Sequence, residues 1–495
     1  MLNVASKIDS PRSPSTTDST AIASAETGTK WLWLIILPLA AVLRLMLLSH
    51  KSLSLDETVS VFIVRLRHSE FLDLLWHREG NMALYYAVLR PVVLYVSDSE
   101  FWVRLPAAVA GITAVPLMFA LGKKIFDRGT AVLSALLICV SSCHVVYSQE
   151  ARGYTLVVLF SILSWLLFFE GIADSSWKNW LLYALTSAVA VYSHFFAGLV
   201  LLAQWLSLAL LPHRAVPWKE LLVAGVLIGL LISPAVIVIT HHDIGQLGWV
   251  QKPDALELYH TAVFLAGESG RAVGKFLLVF CVIALVQAAH VLWRRFPTET
   301  PMVRWRLASL WIWLLSPMFL SYLFSHLRAP IFVHRYFIIC LPPFLLLVAQ
   351  GLGALRGRMT VVTAFVALSL ASTFVSYSRP REDWRSAASF VMSHSQPGDA
   401  IAFDGEYGRM AFAYYERHIL SGSTAPFSVS LDDSSQLQGM ARLWVVFYPI
   451  SPRAPADPPT QEQMTAKYPV LQQASFRALR IVLFDLRSQS GLRPR

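Results

Sequence analysis

The sequence predicts an α-helical protein that crosses a membrane many times and carries a small C-terminal α/β domain outside it. Three observations lead there. Of the 495 residues, 55% are hydrophobic and 15% charged, against about 25% charged in an ordinary soluble domain. Most of the first 377 residues form apolar runs of spanning length, about 20 residues for a hydrocarbon layer of ~30 Å. Beyond residue 377 these runs give way to a helical pattern, a Pro-Gly turn and short strands.

The first 30 residues are polar and rich in Ser, Thr and Ala, and read as a disordered cytoplasmic tail. The run "WLWLIILPLAAVLRLMLL" that follows lacks a small-residue cleavage site, so it reads as an uncleaved span. The spans expected after it are 103–121, 130–147, 154–170, 179–193, 195–211, 220–239, 273–292, 308–325, 335–350 and 359–377. The segment 81–96, "NMALYYAVLRPVVLYV", is short and holds Arg90-Pro91. The bias of Lys and Arg toward cytoplasmic loops decides its status. If 81–96 does not span, five loops on one side hold twelve Lys and Arg, and the opposing short loops hold five. Counting it as a span reverses that bias. The expectation is therefore about eleven spans, a cytoplasmic N-terminus, and a long outer loop, 49–102, with re-entrant or interfacial helices. Residues 378–495 then form an extracytoplasmic α/β domain.

The net charge of +10 fits this topology and lipid headgroups better than nucleic acid, because the basic residues lie between apolar runs. Cys139, Cys143, Cys281 and Cys340 lie within apolar segments without metal-ligand spacing and read as small buried hydrophobes. No metal site and no cofactor is expected; His241-His242-Asp243 are adjacent loop residues and weak evidence for a metal. No internal repeat is visible, unlike many transporters.

The chemistry concentrates at the outer mouth. In "KSLSLDETVSVFIVR", Asp56-Glu57 follow the first span. One reading is a helix start, with Ser54 or Asp56 as the cap and acids favoured in the first turn. The other is a general base that takes a proton from an acceptor attacking an activated carbon. Residue types leave both open. "HVVYSQEARGYTL" packs Tyr147, Gln149, Glu150, Arg152 and Tyr154 into a tight turn beside hydrocarbon, which is costly unless these groups have partners. Glu150 and Arg152 can pair with each other, or serve a substrate. "HLRAPIFVHRYFIICLPPF" places His334, Arg335 and Tyr336 at the outer end of a span. An arginine there suits phosphate through its planar fork, or snorkels within an aromatic belt. His194 stands at a membrane edge as a structural or donor-contacting histidine. Arg44, near the outer end of the first span, can snorkel outward.

"LDE" after the first span, "NMALYY", "FWVRLPAAVAG", "YSQEARGYTL" and "HRYFIICLPPF" occur in this order. The pattern resembles the GT-C class of membrane glycosyltransferases, in the protein mannosyltransferase/aminoarabinose transferase branch with its RgtA-to-D-like bacterial relatives. It covers roughly residues 31–350. The resemblance implies a sugar donor linked to polyprenyl phosphate and an acceptor (glycolipid, polysaccharide or protein) on the outer face of a bacterial cytoplasmic membrane. It implies Asp56 as the catalytic residue with Glu57 supporting it, and it maps Glu150 onto the acid of the second outer loop. Arg152 and Arg335 are implied for the donor phosphate, with Tyr147, Tyr154, His194 and Tyr336 around them. Many relatives have a "HPPLYY"-like stretch where this chain has "NMALYY". A transporter or flippase of lipid-linked saccharides is the alternative; such proteins place ionisable groups near the bilayer midplane.

Overall fold

The computed structural model describes residues 33–241, 250–267, 271–378, 382–404, 406–419, 426–431, 437, 439–448 and 461–487. The tail expected over 1–30 and residues 242–243 of the His-His-Asp stretch lie outside them.

The membrane part is helical throughout. After α1 (Trp33–Leu45) the chain turns sharply, with Leu47 in the left-handed region at φ 61°. The segment expected as the long outer loop follows, with α2 (Leu55–Arg65), α3 (His68–His77) and α4 (Ala83–Tyr95). At 13 residues, α4 is shorter than the ~20 a span requires. It is pinned to its neighbour by Tyr85, whose hydroxyl donates to the Val103 carbonyl at 2.8 Å.

The long helices are α5 (Glu100–Ile125), α8 (Tyr154–Asp174), α11 (Trp218–His241), α13 (Arg271–Arg295), α14 (Pro301–Leu327) and α16 (Arg358–Tyr377). With α15 (Leu341–Gly353) and the 3₁₀ turn His334–Cys340 that leads into it, seven helices are long and apolar enough to cross a membrane. An eighth is the bent pair α6 (Arg128–Val140) and α7 (Ser142–Ser148), inclined by 53°. The remaining expected spans coincide with shorter helices: α1, α9 (Trp177–Ser193) and α10 (Ala197–Ser207). The short α12 (Ala255–Gly267) packs beneath the 3₁₀ turn.

The break at Ser141 exposes carbonyls that the helix would otherwise use, and in a hydrocarbon setting they need donors. Arg44 supplies them. Its guanidinium donates to the carbonyls of Ala40 (3.2 Å), Cys139 (3.0 Å) and Ile138 (3.0 Å), and to His144 Nδ1 (2.8 Å). Arg44 is wholly buried, so the expectation that it snorkels outward is wrong: inward acceptors outcompete water for it. Gly111 of α5 makes room, since a Cβ there would lie 2.2 Å from Ser148 Oγ and 3.0 Å from Arg44 Nε. Nearby, the Gln149 amide donates to the carbonyls of Leu43, Arg44 and Met46 (3.2, 3.2 and 3.0 Å) and closes the end of α1.

The C-terminal part holds a five-stranded sheet in the order β2-β1-β3-β5-β4. Its strands are β1 (Ala400–Phe403), β2 (Phe427–Ser428), β3 (Arg442–Phe447), β4 (Val470–Phe476) and β5 (Leu479–Asp485). β1 runs parallel to β2 and β3, whereas β5 is antiparallel to both β3 and β4. The helices of this part are α17 (Trp384–His394), α18 (Glu406–Ile419) and α19 (Gln461–Lys467). Trp384 and Trp444 are fully buried in its core. Helix α18 packs directly against α2.

Arg44→Ala leaves the Ile138 and Cys139 carbonyls without this donor, and each unsatisfied buried group costs about 1–3 kcal/mol. The expected outcome is a melting temperature in detergent several degrees below the wild type; an unchanged value would remove Arg44 from this role.

Candidate active site

The site begins at Ser54, where extended backbone becomes α2. Ser54 is the N-cap, and Glu57 at the third helical position reaches back to accept the Ser54 N–H at 2.8 Å, one arm of a capping box. The same carboxylate does far more. Arg104 of α5 grips it with both arms of its fork, at 2.7 and 2.8 Å, and Ala151 N–H donates to it at 2.9 Å. Glu57 is 3% exposed. Burial pushes its pKa up, but the Arg104 charge and hydrogen bonds and the two backbone donors outweigh that and hold the carboxyl below its usual range. Arg104 also donates to the carbonyls of Leu48 (2.7 Å), Lys51 (3.0 Å) and Ser52 (3.0 Å). One buried ion pair thus ties the linker after α1, the start of α2, the head of α5 and the turn 149–153 together.

Asp56 precedes Glu57 on the helix and has a different environment: it is partly exposed and lies within electrostatic reach of Arg152 and Arg335. Arg152 reaches the Tyr86 hydroxyl at 3.3 Å and Ser60 Oγ at 3.5 Å, while its Nε has no hydrogen-bond partner among the described residues. These hydrogen-bond acceptors are hydroxyls, and the Asp56 and Glu79 carboxylates act on the cation through charge. Glu79, just before α4, completes this side: Tyr86 donates to it at 3.5 Å. Burial, with the Asp56 charge adding to it, pushes the Glu79 carboxyl above its usual range against the pull of Arg152.

The opposite wall is aromatic. Tyr147 and Tyr154 meet edge to face with centroids 4.9 Å apart, and Tyr147 meets Phe264 at 5.6 Å. His194 lies 5.9 Å from Tyr154 and 4.8 Å from Tyr336, and the Arg335 guanidinium sits 5.9 Å from the Tyr336 ring centre. Asn81 accepts from Phe195 N–H at 2.9 Å, and its Nδ2 lies 3.4 Å from the His194 ring. Burial, aided by the charges of Arg152 and Arg335, drives the His194 pKa down to about 3, so the ring is neutral at physiological pH. Gly153 permits the turn beside it: a Cβ there would come within 2.5 Å of the Ser193 carbonyl.

The structure therefore gathers Asp56, Arg152, Tyr154, Tyr147, His194, Arg335 and Tyr336 into one neighbourhood. Glu57 lies just behind, saturated by its partners, and Glu150 is buried in the turn, where its carbonyl accepts Arg152 N–H at 2.7 Å. Sequence reasoning did not single out Arg104, Glu79 or Tyr86. Arg104 had a readable signal, a lone arginine in the first turns of an apolar helix; the other two depend on how α4 folds back. No group of three metal-capable side chains gathers among the described residues.

This is the fold of the GT-C class of membrane glycosyltransferases. Residues 83–238 match the family model of dolichyl-phosphate-mannose-protein mannosyltransferases. The fold resembles that of ArnT from Cupriavidus metallidurans in its apo state, with a TM-score of 0.57 and 11% identity, over 92% of this chain and 98% of that one. ArnT from Cupriavidus metallidurans bound to undecaprenyl phosphate gives a TM-score of 0.57 and 12% identity over the same shares. The arabinofuranosyltransferase AftD from Mycobacteria gives a TM-score of 0.49 and 14% identity over 91% of this chain and 41% of that one. No curated protein sequence matches the chain.

Glu57→Gln removes the negative charge from the clamp, and breaking a buried pair by one partner costs about 3–5 kcal/mol. It should melt well below Asp56→Asn in detergent; equal melting temperatures would show that the pair holds nothing. Because the folded carboxyl is held below its unfolded value, its stabilisation is complete above about pH 4.3 and fades as pH falls through the folded pKa. Wild-type melting should therefore drop more steeply between pH 5 and 3 than that of Glu57→Gln.

Proposed function

We propose that the protein transfers a sugar from a polyprenyl-phosphate-linked donor to an acceptor on the outer face of a bacterial cytoplasmic membrane. The observation that carries this reading is a partly exposed carboxylate, Asp56, within electrostatic reach of two guanidiniums, Arg152 and Arg335. The matched ArnT structure with undecaprenyl phosphate supports the donor class.

In this reading Arg152 and Arg335 hold the donor phosphate, and Asp56 faces the acceptor. The acceptor hydroxyl attacks the anomeric carbon and its proton passes to Asp56. The bond from that carbon to the phosphate oxygen breaks with inversion, and the prenyl phosphate leaves as an anion neutralised by the arginines. Glu57 and Arg104 position α2 without touching substrate. Tyr147, Tyr154, His194 and Tyr336 wall the sugar region, and the neutral His194 adds no charge that would compete for the phosphate. Glu150 contributes through the turn that presents Arg152. The carboxylates named here lie on α2 and in the turn 149–153, not within the long apolar helices, which favours transfer over transport of the lipid-linked sugar.

Asp56→Asn is expected to abolish transfer while leaving the protein folded and still able to bind undecaprenyl phosphate; near-normal transfer by the purified variant would remove Asp56 as the base. Arg152→Gln and Arg335→Gln are each expected to weaken undecaprenyl phosphate binding by roughly 10- to 100-fold, as the loss of a charge-assisted hydrogen bond of about 1.5–3 kcal/mol requires. Binding within twofold of wild type in both would move the phosphate elsewhere.

A further inference from the structure

We infer that Glu382, contributed by the C-terminal domain, is a positioning residue for Asp56: its carboxylate caps the first turn of α2 from outside the membrane part and fixes where Asp56 points. The inference rests on the reading of Asp56 as the base.

The first N–H groups of a helix have no partner within it. In α2 the Ser54 N–H goes to Glu57, and the Leu55 N–H, one residue before Asp56, goes to Glu382 Oε2 at 2.7 Å. Glu382 is only 9% exposed and is locked by two further donors, Trp384 Nε1 at 2.6 Å on Oε2 and the Tyr448 hydroxyl at 3.0 Å on Oε1. Trp384 is fully buried, and its ring meets Tyr448 at 5.9 Å. The carboxylate is thus part of the C-terminal core, not a mobile surface acid.

The same domain holds the irregular backbone leading to α2. Ser52 Oγ donates to the Glu382 carbonyl at 2.5 Å, Leu53 N–H donates to the Tyr415 hydroxyl at 2.5 Å, and Arg385 donates to the carbonyls of Ser49 (2.9 Å) and His50 (3.3 Å). Arg385 and Tyr415 both converge on Glu100 at the head of α5, at 2.6 and 3.2 Å. From the membrane side, Arg104 reads the carbonyls of Leu48, Lys51 and Ser52. Between Leu48 and Leu55 the linker is therefore held from two sides, and the contact nearest Asp56 on the C-terminal side is Glu382. A capping carboxylate also places negative charge beside Asp56. Asp56 faces Glu79, Tyr86, Arg152, Tyr154, Arg335 and Glu382.

The test measures transfer from undecaprenyl-phosphate-linked mannose, glucose, galactose and arabinose to an envelope lipid extract, using the full-length protein, its E382A and E382Q variants, and D56N. E382A should lower kcat by about 10- to 100-fold, the scale of a small misplacement of a catalytic group. KM for the donor and affinity for undecaprenyl phosphate should stay within about twofold. E382Q keeps an oxygen for the Leu55 N–H and should recover part of kcat. With the negative charge gone from beside Asp56, the acid limb of its rate profile should move to lower pH, which a merely structural role would not produce. If E382A does not extract as folded protein, the kcat and pH profile of E382Q decide. Wild-type kcat and pH profile in a folded Glu382 variant, or a raised KM with unchanged kcat, would overturn the inference while an inactive D56N leaves the catalytic reading standing. Activity in D56N would instead overturn the catalytic reading, and this inference with it.

Discussion

The bidentate ion pair between Glu57 and Arg104 sets the geometry of the whole candidate site. Their hydrogen bonds reach the linker after α1, the cap of α2, the head of α5 and the backbone of the turn 149–153. Taking two such charges out of water is costly, and only good geometry with every remaining lone pair satisfied repays it. Here the carboxylate accepts four hydrogen bonds and the guanidinium serves three carbonyls besides. The pair is better understood as a specifier of arrangement than as a source of net stability. It fixes α2 in rotation, and neighbouring positions on one helix point about 100° apart. Anchoring Glu57 inward therefore turns Asp56 toward the opening.

That rotation separates two acids which look equivalent in the chain. One becomes a buried anchor whose carboxyl is held below its usual range, and the other meets a field shaped by two cations and two further carboxylates. Arg152 directs its donors at the hydroxyls of Tyr86 and Ser60, while Asp56 and Glu79 act on it through charge.

The fold was largely legible because spanning helices announce themselves through composition, and because the Lys and Arg bias discriminates among alternatives that hydropathy leaves open. Segment 81–96 shows this: its hydropathy alone permitted a span, yet its helix is only 13 residues long. The grouping of Asp56, Arg152 and Arg335 was legible only as an ordered set of short motifs. What stayed hidden depends on long-range closure. Arg44 looked like a snorkelling residue because its acceptors appear only when α6 breaks at Ser141. Glu382 carried no signal, since its carboxylate reaches α2 through a single backbone N–H more than 300 residues earlier. Glu57 and Asp56 could not be told apart before α5 supplied Arg104.

The burial of Arg44 has a consequence for how the protein is made. Its first helix leaves the ribosome carrying a charge whose acceptors, the carbonyls of Ile138 and Cys139, lie about ninety-five residues further along. An arginine within a membrane segment is costly unless it finds acceptors or water. Until the broken α6–α7 pair arrives beside it, α1 is an unfinished membrane segment. Helix α1 is thus among the elements whose packing closes late along the chain, and a chain cut before Ile138 would lack both of these distant acceptors.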